Sequence, residues 1–482
     1  MAIDLHFGET AGRISENIYG QFIEHILTCI NGGVYDPESK FADENGMRKD
    51  VLAHLGKMAP PVMRFPGGTI MCVYHFEDAI GPKEQRINRK NLIWGGELDP
   101  SFGTAEFITF CRKIGAEPMI CVNMASGTPE EAGNWVDYCN GTGKSHYAEL
   151  RRKHGYNEPF GVKYWCIGNE SYAEPDIGIH HNVDLYVRDA MEFIKFMKLN
   201  DKSIKTVVVG SDDMVWNKRV LDALHRVADY FSIHHYSGEN GNGIYGPFDG
   251  EKKLKALLEE VSDLIDTYPE KVNDFSVWYR FPPRSEKIKI ALDEWNIWDF
   301  KNDSTYGLLQ TYNWRDALWT ASVLNLILSM KNIGMANLAQ SVNVIAPVVA
   351  EKEGAWLQTI AYPLMLYREN MLGERVPVEF TSPVIDGGKA GELDALCIYA
   401  VKTDEGRINI AAVNRDFEND YEITLPVNAA GAELTTLFAP GSRLTCSLTS
   451  CPVEETKEIV NGERIVLRKG SINLISINES RA

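Results

Sequence analysis

Tyr164-Trp-Cys-Ile-Gly-Asn-Glu170 is an apolar run too short for a helix, closed by a Gly-Asn turn that delivers a glutamate. Ile288-Lys-Ile-Ala-Leu-Asp-Glu-Trp-Asn-Ile-Trp298 repeats the pattern, an apolar strand ending on an acid set among aromatics. Around these two, runs rich in β-branched residues recur at 17–25, 61–67, 117–123, 161–168, 204–211, 230–236, 287–293 and 335–340, with helical patterns between them. Residues 47–58 bring Met47, Val51, Leu55 and Met58 to one face, and Thr128-Pro-Glu-Glu131 reads as a capping box with proline at the first helical position. Eight strands separated by helices is the count of a closed (β/α)8 TIM barrel, which we place at 16–365. That span exceeds the usual length of roughly 250 residues, so 239–253 and 267–285 are read as loop insertions at the rim.

From residue 366 the pattern changes to short alternating segments, at 395–401, 407–413, 421–425 and 464–467, separated by Gly, Asp and Asn. This predicts a C-terminal antiparallel β-sandwich, jelly-roll-like, over 366–482. Residues 1–15 join it through the alternating stretch 2–7.

The chain has 482 residues, with 49 Lys plus Arg against 67 Asp plus Glu and a net charge of −18, which argues against nucleic acid or an anionic membrane as partner. No run of eighteen apolar residues occurs, and the start, 1–8, lacks the basic and apolar stretches of a secretion signal. The nine cysteines are scattered singly with no CxxC pair, so reduced thiols in a cytoplasmic protein are expected, with neither metal nor cofactor.

In such a barrel the reacting groups sit where strands end. Glu170 and Glu294 both do, and two carboxyls across a cleft suit glycosidic cleavage, one donating a proton while the other acts as nucleophile or as base for water. A glutamate after a strand is commonly a surface or helix-start residue; here the company is what weighs. Arg64 ends the second run, where a bidentate contact would hold a carboxylate ionised, His234 and Tyr236 end the sixth, and Glu24-His25 the first. Trp165, Trp295, Trp298, Tyr164 and Tyr236 offer flat faces for the C–H faces of a sugar.

Gly20-Gln-Phe-Ile-Glu-His25, Arg64-Phe-Pro-Gly-Gly68, Phe76-Glu-Asp-Ala-Ile-Gly-Pro82, Trp165-Cys-Ile-Gly-Asn-Glu170, Asp293-Glu-Trp-Asn-Ile-Trp298 and Met335-Ala-Asn-Leu-Ala-Gln-Ser-Val-Asn-Val-Ile345 together resemble glycoside hydrolase family 51, whose principal activity is α-L-arabinofuranosidase. The resemblance implies Glu170 as acid/base and Glu294 as nucleophile of a retaining, exo-acting enzyme on arabinan or arabinoxylan oligosaccharides. The two carboxyls would then lie about 5 to 5.5 Å apart. Glu294 must be ionised, while Glu170 must hold a proton until Glu294 is neutralised. The resemblance further implies Glu24, Asn169 and Gln340 as partners of the furanose hydroxyls, Tyr236 near the nucleophile, Trp94 on the wall, Cys72 near the sugar, His234 by the carboxylates, and a homo-oligomer, commonly a hexamer.

Each site residue also has a plain structural reading: Glu24 paired with His25 or a lysine, Gln340 satisfying backbone, Trp94 and Cys72 as packing, His234 as a core histidine. The chain departs from the family at Thr69, in the segment Trp94 to Thr104, and in the glycine-rich stretch 238–250, which bear on the leaving-group side. Two alternatives stand beside the leading one: the same fold and dyad acting on β-1,4-glucan or xylan, and a non-catalytic carbohydrate-binding protein.

Overall fold

The computed structural model describes residues 2–173, 177, 178, 180, 182–271, 284, 286–427 and 429–478. Eight parallel strands close into a barrel in chain order: Gly20–Phe22, Val62–Phe65, Glu117–Val122, Tyr164–Ile167, Lys205–Val209, Tyr230–Ser237, Lys289–Ile297 and Ile333–Leu338. Their near-continuous burial explains why the sequence reads as plain apolar runs: a parallel sheet covered on both faces needs no polar face. The helix Lys49–Met58 buries Val51, Leu55 and Met58 against this sheet, as its spacing predicts. Thr128 accepts from the Glu131 N–H with Pro129 at the first helical position, but only half of the expected box forms, because the Glu131 carboxylate turns to His75 instead.

One irregularity decides the site. Against the sixth strand, Ser232 pairs with Ala291 but His234 pairs with Glu294; against the eighth, Leu292 pairs with Ala336 but Trp295 with Leu338. The seventh strand thus carries one extra residue relative to both neighbours, a bulge that breaks the alternation of faces and lets Asp293 and Glu294, adjacent in sequence, both join the buried polar cluster of the barrel.

The last third of the chain adds a six-stranded sheet in the order Glu374–Val376, Leu396–Lys402, Arg407–Asn414, Ser471–Asn478, Glu433–Phe438, Glu454–Ile459. A three-stranded sheet of Ile3–Asp4, Tyr421–Thr424 and Arg464–Leu467 covers one face of it, so the N-terminal segment pairs far from its neighbours in sequence. The six-stranded sheet has two apolar faces. Ile398, Ala400, Ile410 and Ala412 point into the sandwich, while Tyr399, Val401, Ala411 and Val413 point toward the barrel's helices and belong to the same core as the barrel.

Two expectations are corrected, and one falls largely outside the described residues. Residues 239–253 are only partly loop: a short turn Gly243–Tyr245 leads into the helix Gly246–Asp266, where Gly250 serves close packing, since a Cβ there would lie 2.2 Å from Ser237 Oγ. Of the second proposed insertion, 272–283 and 285 lie outside the described residues. The cysteines are not all reduced thiols: Cys446 and Cys451, five residues apart in a sandwich loop, form a disulfide, because the loop folds their Cα atoms to 4.1 Å.

Candidate active site

The site lies at the C-terminal ends of the barrel strands and is built around Arg64, which is 1% exposed and lies over the Phe22 ring. Its guanidinium forks. Nη1 donates to Glu294 Oε1 at 2.5 Å, Nη2 donates to Asn169 Oδ1 at 2.6 Å, and Nε faces Asp293 Oδ2 at 3.6 Å. The bidentate grip expected on a single carboxylate is therefore absent: Arg64 spreads its donors over three residues at the ends of the fourth and seventh strands and fixes these ends relative to its own.

Glu294 also accepts from the Tyr236 hydroxyl at 2.7 Å. Ser232, His234 and Tyr236 alternate along the sixth strand and so share its inner face. His234 Nδ1 lies 2.8 Å from Glu170 Oε1 and 3.6 Å from Glu294 Oε2, while its Nε2 faces Asp293 Oδ1 at 3.4 Å. Burial alone would strip His234 of its proton, but the carboxylates of Glu294, Asp293 and Glu170 outweigh it and hold its pKa well above the ordinary value. Nδ1–H is therefore the donor to Glu170. Burial would likewise raise Glu170, yet the His234 hydrogen bond and charge dominate and hold it below the usual carboxylate range. Both shifts favour the proton on His234, beside Glu170, in the protein without substrate.

One oxygen each from Glu170 and Glu294 and a nitrogen of His234 lie within 4.8 Å of one another. That set has the chemistry to ligate a cation, but an imidazole that keeps its proton is a poor ligand. Glu170 itself sits at φ 42°, a left-handed conformation just past Gly168, so the backbone is strained to aim its carboxylate at the cleft.

Across the cleft, Glu24 accepts from the Ile70 N–H at 3.1 Å, from Trp94 Nε1 at 3.1 Å and from Gln340 Nε2 at 2.8 Å. Burial, aided by the charge of Glu294, pushes Glu24 up to about 7 despite these donors. Gly67 makes this approach possible, since its φ is +156° and a Cβ there would fall 2.3 Å from Glu24 Cγ. Trp94 is held by a loop that Asn91 organises, its Oδ1 accepting from the N–H groups of residues 93 and 94.

Of the ten residues singled out from the sequence, Glu24, Arg64, Trp94, Asn169, Glu170, His234, Tyr236, Glu294 and Gln340 fall into two linked hydrogen-bonded groups around one cleft. Cys72, the tenth, is buried in the turn Thr69–Val73 with its sulphur beside Gly178 and its carbonyl accepting from Ser126. Among the described residues Glu24 pairs with neither His25 nor a lysine, and His25 stacks on Tyr74.

Three of the aromatics offered as sugar platforms are not on the cleft. Trp165 and Trp295 are 0% and 1% exposed and face outward, onto Trp135 and Trp319 of the helix layer, while Tyr164 takes a hydrogen bond from Asn17 beside the short turn Glu16–Tyr19. Strand parity turns the two tryptophans outward, whereas Tyr164 starts its strand at the end opposite the carboxylates, so of these five aromatics Tyr236 and Trp298 remain by the carboxylates.

Sequence reasoning missed Asp293 and Ser232. Asp293 is 1% exposed, accepts from Ser232 Oγ at 2.5 Å, and is held below the usual range because Arg64 and His234 outweigh the effect of burial. The Asp-Glu pair was visible, but strict alternation would have sent one of the two to the helix layer.

Family models match two stretches: the α-L-arabinofuranosidase 1 domain over residues 54–253 and the α-L-arabinofuranosidase C-terminal domain over 293–459. A probable α-L-arabinofuranosidase C of Aspergillus flavus is 35% identical over 470 residues, covering 92% of this chain and 90% of the relative. The chain belongs to the family 51 α-L-arabinofuranosidases. It is thus a glycoside hydrolase of that activity. The family's intracellular exo-α-(1→5)-L-arabinofuranosidase 1 of Bacillus subtilis is 34% identical, with 86% of this chain and 85% of that protein covered. The α-L-arabinofuranosidase of Thermotoga maritima, solved with arabinose, superposes with a TM-score of 0.88 at 35% identity over 99% of this chain and 100% of that one. Among the described residues no helix is long and apolar enough to cross a membrane.

Proposed function

We propose that this arabinofuranosidase is exo-acting and retaining, removing terminal α-L-arabinofuranosyl units from arabinan or arabinoxylan oligosaccharides by double displacement. The observation that carries the reading is the close approach of the dyad, with oxygens of Glu170 and Glu294 within 4.8 Å. Retaining pairs stand about 5 to 5.5 Å apart, whereas inverting pairs leave roughly 6.5 to 9.5 Å for a water.

Glu294, fixed by Arg64 and Tyr236, attacks the anomeric carbon while the bond to the leaving oxygen breaks. As Glu294 gives up its negative charge to the new bond, the field holding the proton on His234 weakens. The proton then passes through Glu170 to the leaving oxygen, and in the second step water returns a proton to this pair as it cleaves the arabinosyl ester. Glu24, Asn169 and Gln340 bind furanose hydroxyls, with Trp94 as a wall. The name of the Bacillus subtilis relative supports exo action and a cytoplasmic place, and the family resemblance supports a homo-oligomer, a hexamer.

The wild type should release arabinose from an aryl α-L-arabinofuranoside, with the first-formed sugar in the α configuration by NMR. Glu294→Ala should lose at least several hundredfold in kcat/KM. Wild-type turnover in that variant, or a β first product, sinks the mechanism.

A further inference from the structure

Between the seventh barrel strand and the helix Trp314–Ser329, residues 298–309 turn a strip of aromatic rings outward. Tyr236, with its hydroxyl on Glu294, meets Trp298 edge-on at 5.6 Å between ring centres. Trp298 meets Phe300 at 6.1 Å, and Phe300 stacks on Tyr306 at 6.3 Å with the planes 24° apart. Exposure rises outward: Trp298 is half-buried, while Tyr306 and Phe300 are 48% and 65% exposed. Leu309, at the end of the same segment, is also exposed.

A single exposed aromatic is ordinary, but contiguous rings reaching outward from a polar site mark a binding surface. The loop that carries them is braced. The Asp299 N–H donates to Gln310 Oε1, Asp299 Oδ1 accepts from the Glu239 N–H, Trp298 Nε1 donates to the Tyr306 carbonyl, and Asp303 Oδ1 accepts from the N–H groups of Thr305 and Gly307. Rings held before a ligand arrives cost less to use.

We propose that Phe300 and Tyr306 form a distal platform for the leaving-group side of an arabinose-containing oligosaccharide, several units from the bond that is cut. This inference rests on the arabinofuranosidase reading and extends it. The groups that receive the terminal furanose, Glu24, Asn169 and Gln340, are all nearly inaccessible, so the pocket admits one end unit and whatever reaches the rim is leaving group. The rings continue from the nucleophile without a gap, at spacings comparable to consecutive sugar units. Sugar C–H faces pack on such rings, and a neutral glycan needs no cationic patch there. A second copy of this chain is the competing occupant, and the test separates the two.

Phe300→Ala/Tyr306→Ala should leave kcat/KM on an aryl α-L-arabinofuranoside within twofold of wild type and lower it about tenfold on an α-(1→5)-arabinopentaose, mainly through KM. Calorimetry of arabinopentaose binding to Glu294→Gln, with and without the two ring deletions, reads the same contact with no hydrolysis and should show about a tenfold weaker Kd. Because that arm needs no turnover, it stands even if the catalytic reading fails. Unchanged pentaose binding overturns the proposal, as does an equal loss on both substrates. A drop in native mass with pentaose binding intact assigns the rings to a second copy and overturns it too.

Discussion

His234 Nδ1 and Glu170 Oε1 stand 2.8 Å apart, and beside Glu294 a second, buried carboxylate helps to hold the proton on His234. Asp293 lies beneath both cations of the site, 3.4 Å from His234 Nε2 and 3.6 Å from Arg64 Nε. Asp293→Asn removes the anion that helps keep His234 protonated, so the alkaline limb of kcat/KM on an aryl arabinofuranoside should move to lower pH; an unmoved limb contradicts this role. Stability follows with a definite sign. A carboxylate held below its ordinary value of 3.8 stabilises the native state above that pH, and the contribution is lost as pH falls through the depressed value. The variant should therefore be less stable near pH 6 by on the order of 3 kcal/mol, with the deficit shrinking below about pH 4, as thermal melts at the two pH values would show. At this scale the sequence was legible where motif and chemistry coincided, as for Glu170 and Glu294. The part of His234 in the proton balance was not legible, because it depends on His234 bridging two strands rather than on either acid alone.

At the scale of elements, all eight barrel strands were readable from their apolar β-branched runs, since burial on both faces leaves an uninterrupted signal. The bulge in the seventh strand was not, because an extra residue in a pairing leaves no mark on composition. The same limit misplaced the tryptophans. Trp165 lies in the fourth strand, one position out of phase with the inward-facing Cys166, and packs on Trp135. Trp165→Ala should accordingly cost on the order of 3 to 5 kcal/mol in chemical denaturation while leaving KM of the folded enzyme unchanged; a raised KM with intact stability would return it to the cleft. The glycine-rich stretch after the sixth strand failed for a related reason, as Gly250 serves the helix Gly246–Asp266 by letting it lie against Ser237.

At the scale of the molecule, the barrel and the sandwich meet through the two-faced sheet, and further bonds tie their ends. Trp314 Nε1 donates to the Gly470 carbonyl, and Glu239 receives both Arg315 from the barrel and Arg443 from the sandwich. The exposed Arg443 contact is worth at most about 1 kcal/mol, so the apolar face dominates the junction. Scanning calorimetry of the native protein should show one cooperative transition; two well-separated peaks would mean that the shared core does not couple the halves. The change from barrel to sandwich pattern near residue 366 was visible in the sequence, but the second apolar face was not, since a strand buried on both sides reads like any other apolar run.

That sheet also limits how the chain can be rearranged. A domain joined by a linker can be exchanged with a foreign one as long as the linker survives, whereas here Tyr399, Val401, Ala411 and Val413 interdigitate with the barrel's own helices. Any transplanted sandwich would have to bring a matching relief on its inner surface, so recombination at this boundary replaces an interface and not merely a cassette.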